Sequence, residues 1–112
     1  MGRKLMEIIN LTPHEVRYYK EGGEVVRFAP RGVIPRCEEI SVDDKVLGGV
    51  LTRVVRYGSV ENLPEEVNGR YLIVSALVRA ALPGRPDLIS PIDLVRDEAG
   101  RVIGCKAFAR GE

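Results

Sequence analysis

Apolar and polar positions alternate with a period close to two through most of the chain, and glycine or proline interrupts the alternation every few residues. Residues 5–10, from Leu5 to Asn10, read as a first strand. Thr12-Pro13 closes it, because proline fixes the backbone and removes a ladder donor. In residues 14–20, Val16 and Tyr18 alternate with Glu15, Arg17 and Tyr19. After Glu21-Gly22-Gly23, residues 24–29 set Val26 and Phe28 on one face, so the two runs predict a hairpin. Pro30, Gly32 and Pro35 then break the chain before a strand at residues 37–42. Asp43-Asp44-Lys45 together with Gly48-Gly49 marks another turn or loop, and the β-branched stretch 50–57 reads as a long strand.

Beyond Tyr57 the pattern changes. Residues 61–69 contain Pro64-Glu65-Glu66 with a glycine beyond, which allows at most one helical turn. Tyr71 to Val74 is a continuous apolar run of the kind buried on both faces. Ser75 is placed to cap a helix over residues 76–82, where Leu77, Val78, Ala81 and Leu82 share one side and Pro83-Gly84 stops the helix. Residues 85–91, with two prolines, read as a loop long enough to reach over a cleft. A second hairpin, residues 92–96 and 101–108 around Asp97-Glu98-Ala99-Gly100, closes the domain.

Seven or eight short strands, one firm helix, no repeat and no linker predict a single domain over residues 1–112. Its class is α+β, mostly β: an antiparallel sheet or partly closed barrel with one or two short helices. A parallel crossover fold needs helices between its strands, and the pattern supplies none.

Composition narrows the function classes. A chain of 112 residues with 45% hydrophobic and 29% charged residues is long enough for one core and far from a disordered composition. The net charge of +1 comes from 17 basic and 16 acidic residues mixed along the length, so no basic stripe marks a nucleic-acid partner. No apolar run approaches the roughly 18–20 residues of a membrane span, and no secretory pattern opens the chain; the expected location is cytoplasmic. The absence of Gln, only three Asn and a large excess of Arg over Lys fit a heat-adapted source, in which ion-pair networks account for many charges. Cys37 and Cys105 lack the spacing of a zinc or redox site and read as free, buried thiols, with a disulfide as the alternative.

Catalytic signatures are thin: there is no nucleophile elbow, phosphate loop, dinucleotide fingerprint or paired-histidine motif. His14 is the single histidine, and it could serve a turn, a ligand contact, or a small hydrolase site with Cys105 or a carboxylate. Asp43-Asp44 and Glu65-Glu66 read as solvated surface. Arginine is the more telling residue type. Arg79 on the helix, Arg85 and Asp87 on the next loop, and Arg96 with Asp97 at the last turn are close enough in sequence to surround one concavity and grip a phosphate bidentately; surface ion pairing is the competing use of the same residues.

Three segments, Ile9-Asn10-Leu11-Thr12-Pro13-His14, Tyr71 to Val78 and Val95 to Cys105, together resemble a family of short proteins from phages, archaeal viruses and prophages, with the Asn-Leu-Thr-Pro-His opening as the most specific part. The resemblance extends to the Thoeris anti-defence sponges, which sequester cyclic ADP-ribose signals at subunit interfaces without degrading them. It implies a non-catalytic, homo-oligomeric binder of a small phosphorylated nucleotide signal in the host cytoplasm, with no cofactor or metal. The ligand-binding positions to look at are Thr12, His14, Arg79, Arg85, Asp87, Arg96 and Asp97. A structural or protein-interaction module of a virus, with no small ligand, is the alternative.

Overall fold

A computed structural model describes residues 6–111 as eight strands and one short helix. Their order is β1 (Glu7–Asn10), β2 (Val16–Tyr19), β3 (Val25–Phe28), β4 (Arg36–Leu47), β5 (Val50–Glu61), β6 (Arg70–Ile73), α1 (Ala76–Ala81), β7 (Leu88–Arg96) and β8 (Val102–Arg110). Leu5, expected in the first strand, lies outside the described residues. Six strands form one sheet in the order β1-β6-β7-β8-β2-β3, and β4 with β5 forms a separate two-stranded ribbon. The six-stranded sheet curls until its edges almost meet: Asn10, ending β1, bridges Pro30 just beyond β3, and the Arg31 N–H donates to the Asn10 carbonyl at 2.8 Å. The protein is mostly β, with one nearly closed sheet.

Both expected hairpins are present, β2 with β3 and β7 with β8, each antiparallel. The expected absence of crossovers does not hold for the rest of the sheet, where β1 with β6, β6 with β7 and β2 with β8 are parallel. The link from β6 to β7 runs through α1, which is too short to leave a long helical pattern in the sequence but long enough to carry the chain back. Ser75 caps it as expected, its hydroxyl accepting from the Val78 N–H at 3.2 Å.

Strand alternation divides the core. Leu72, Val74 and Leu88 face α1, meeting Val78 and Leu11, and Cys37 and Val60 from the foot of the ribbon pack against this cluster. Ile73 and Ile89 point to the opposite face, the side of Phe108, whose ring lies 5.9 Å from Tyr18 and 6.2 Å from Phe28. Each fully buried Leu or Ile contributes about 1.5–3 kcal/mol.

Two segments differ from expectation. Asp43-Asp44-Lys45 is not a turn: it lies within β4, where Asp44 and Lys45 bulge opposite Thr52, and the reversal is made by Gly48 (φ 56°) and Gly49 (φ 83°) alone. Two consecutive positive φ angles are what a two-residue hairpin turn demands, so the ribbon runs on to the glycines. Residues 85–91 do not form a loop over a cleft, because β7 starts at Leu88. Pro91 is tolerated within it because β7 pairs with β6 only as far as Ile89. Residues 62–67 contain no helical turn, within the expected limit of one.

Candidate functional site

The Asn-Leu-Thr-Pro-His segment is a hydrogen-bonded knot at the seam of the curled sheet. Asn10 is 1% exposed. Its Nδ2 donates to the carbonyls of His14 and Phe28, both at 2.8 Å, while its Oδ1 accepts the Thr12 N–H at 2.9 Å and the Thr12 hydroxyl at 2.6 Å. All four hydrogen-bonding capacities of the buried amide are used. Thr12 is thereby committed to the knot, and His14 lends it a carbonyl.

His14 itself is exposed and lines a cleft of about 220 Å³ that Glu15, Arg17, Pro91, Leu94 and Cys105 also line. His14 and Cys105 line the same cleft, but no hydrogen bond joins them among the described residues. Cys105 has no exposed surface, and burial pushes its thiol up from its ordinary pKa, the opposite of nucleophile activation. Glu15 accepts from Arg17 Nε at 2.8 Å, and this hydrogen bond holds its carboxyl below the ordinary value. Both cysteines are free.

The arginines are not gathered. Arg79 Nε donates to the buried Ser90 hydroxyl at 2.8 Å, tying α1 to β7. Arg85 grips Asp87 bidentately, at 2.9 and 2.8 Å, and donates to the Pro64 carbonyl at 2.8 Å; its hydrogen bonds to the Asp87 carboxylate raise the guanidinium pKa. Arg96 donates to the Gly100 carbonyl, and Asp97 accepts the Ala99 and Arg101 N–H groups inside the last turn. Ser90 and Arg96 are six residues apart on β7, about 20 Å at ~3.3 Å per residue, so Arg79 and Arg96 do not meet in one concavity.

A different pair of arginines does share a cleft. Arg70 and Arg110, with Tyr71, Asn68 and Asp87, line a space of about 100 Å³. Arg70 Nη2 donates to the Glu65 carbonyl at 2.7 Å, but its Nε is buried without a partner among the described residues. Sequence reading missed this pair because the two residues lie 40 positions apart and only the β6-β7-β8 order brings their strands near each other.

The largest anomaly is the ribbon. Beyond its foot, nine large apolar side chains are 42–64% exposed. Register places Ile40, Val42, Leu47, Val50 and Val54 on one face, and Val46, Leu51, Val55 and Tyr57 on the other. Among the described residues the outer edges of β4 and β5 have no neighbouring strand. The sequence signal was available: consecutive apolar pairs at 46–47, 50–51 and 54–55 describe a strand that wants cover on both faces, and the described residues supply neither.

Among the described residues no group of three or more His, Cys, Asp or Glu side chains is arranged to hold a metal ion, and no helix is long and apolar enough to cross a membrane. No family model, no curated protein and no solved structure matches the chain.

Proposed function

We propose that this protein is a non-catalytic interaction module that docks a protein partner along the β4–β5 ribbon. The observation that carries this reading is the ribbon's two apolar faces, held outside the body on two unpaired strand edges. Burying nine half-exposed aliphatic and aromatic side chains contributes about 9 kcal/mol, at ~1 kcal/mol each, which is on the scale of the association cost of about 4–15 kcal/mol. An isolated two-stranded ribbon is marginal in water, so a partner also stabilises the element that binds it. Native mass spectrometry of the wild type and of a Leu47→Asp/Leu51→Asp variant tests the reading. The wild type should fly in an assembly and the variant as a single chain; a wild type that is alone and monomeric overturns it.

A second reading, a viral or mobile-element sponge for a phosphorylated nucleotide signal, draws support from the unpartnered Arg70 Nε beside Arg110. Its arginines are then Arg70 and Arg110, because Arg79, Arg85 and Arg96 already hold local partners. Denaturing the same native assembly distinguishes the two, since a sponge releases a phosphorylated small molecule and an interaction module does not.

A further inference from the structure

We infer that Asn68-Gly69 is a site of spontaneous covalent modification, at which Asn68 deamidates to an isoaspartyl or aspartyl residue in the cleft of Arg70 and Arg110. The inference is independent of what docks on the ribbon. Asparagine is a thermolabile residue, and this chain has three, which the structure sets apart. Asn10 is 1% exposed and every capacity of its amide is bonded. Asn62 is exposed, but Leu63 follows it and packs against the core cluster, so a branched side chain crowds the next backbone nitrogen. Asn68 is exposed, and glycine follows it.

The turn leaves the two reacting groups untied. The Arg70 N–H donates to the Val67 carbonyl at 3.0 Å and closes a turn with Asn68 and Gly69 at its centre. Gly69, at φ 84°, takes the left-handed position that a type II turn reserves for glycine. Among the described residues neither the Asn68 amide nor the Gly69 N–H has a hydrogen-bond partner, and glycine has no side chain to shield its nitrogen.

The reaction needs only water. The Gly69 nitrogen loses its proton to water or hydroxide and attacks the Asn68 side-chain carbonyl carbon. The new C–N bond closes a cyclic imide, the old amide C–N bond breaks, and the nitrogen leaves as ammonia with a proton from water. Water then opens the imide at either carbonyl. Attack at the former side-chain carbonyl gives aspartate on an ordinary backbone; attack at the backbone carbonyl gives isoaspartate, whose main chain runs through Cβ and Cγ.

Both products add a negative charge to the cleft that Asn68 lines with Arg70, Arg110, Glu66 and Asp87. The isoaspartyl product also lengthens the main chain by a carbon atom inside the turn. The Gly69 carbonyl accepts the Glu7 N–H at 2.8 Å, the first rung between β1 and β6, so that rung and the Arg70–Val67 bond both loosen in the modified chain.

Peptide mapping of the folded full chain, incubated at neutral and at mildly alkaline pH against an unincubated control, tests the inference. The tryptic peptide Tyr57–Arg70 carries both Asn62 and Asn68, and its fragment masses tell them apart. Asn68 should deamidate about tenfold faster than Asn62, and faster at the higher pH because the Gly69 nitrogen must lose a proton, while Asn10 stays intact. Asn68→Ser should abolish the more acidic form seen on anion exchange, and Asn62→Ser should leave it. Hydrogen exchange in the separated isoaspartyl form should be faster at the Glu7 and Arg70 amides. A folded chain that keeps Asn68 intact, or that loses Asn62 as fast, overturns the site. An isoaspartyl form in which the Glu7 and Arg70 amides exchange as before overturns its effect on the β1–β6 rung.

Discussion

Cys105 shows how one buried side chain gives a measurable pH dependence. Its thiol has no exposed surface and holds its proton to higher pH than a free thiol does. The unfolded chain therefore loses that proton first. Stability is unaffected below the ordinary thiol range near pH 8.5 and falls as pH rises through it. Thermal melts of wild type and Cys105→Ala between neutral pH and pH 10 should show the gap between them shrinking as pH rises; a gap independent of pH would refute the assignment. Native Cys105 should also resist alkylation that half-buried Cys37 accepts more readily. The expectation of free, buried thiols holds for Cys105, whereas Cys37 is only half-buried, because spacing says nothing about which strand face a cysteine occupies. The free state was the simpler expectation, and the structure has both thiols free.

Individual elements were legible where local chemistry is decisive. Ser75 caps α1, Pro83-Gly84 ends it, and Gly22-Gly23 turns the first hairpin, because these residue types act through their own backbone whatever surrounds them. The ribbon was misread at Asp43-Asp44-Lys45 for the same local reason: turn-forming residues also suit a bulge, and pairing across the ribbon decides between them. Pairing also explains Gly104 on β8. A Cβ there would run into the Tyr19 ring and stand 2.7 Å from the Arg17 carbonyl, so β2 and β8 approach closely only because Gly104 has no side chain. Gly104→Ala should cost about 1–3 kcal/mol in urea denaturation, whereas Gly22→Ala, which meets open space, should cost far less. Equal losses at the two sites would remove the close-approach explanation.

At the scale of the whole molecule two features stand out: a sheet nearly closed at Asn10, by backbone and side chain together, and a ribbon that leaves the body. Of the four hydrogen bonds of the Asn10 side chain, the one to the Phe28 carbonyl ties β1 to β3, and the three to Thr12 and His14 hold the adjoining loop. Asn10→Ala strands the Phe28 carbonyl and the Thr12 N–H and should lower stability by about 3 kcal/mol, with faster hydrogen exchange at the Arg31 amide that bonds the Asn10 carbonyl. A melting temperature unchanged by that substitution would show that the seam closes without it. The ribbon gives the chain a radius of gyration of 17.2 Å and a long dimension of 62 Å, against about 13 Å for the radius of a compact domain of about 100 residues. The exposed apolar ribbon is the feature on which the proposed docking role rests.

By itself the sequence determined the strand-rich class, the two hairpins, the capped helix and the lack of any motif-level catalytic set, because each follows from local periodicity or from one residue's backbone preference. Only the tertiary structure decided the rest. The six-strand order turned Asn10, Thr12 and His14 into a seam and gave Arg79, Arg85 and Arg96 separate partners. It also put Arg70 beside Arg110, and it left the β4–β5 ribbon uncovered. These are consequences of which distant segments pair, and pairing is set by the burial of the whole core, which no window of residues contains.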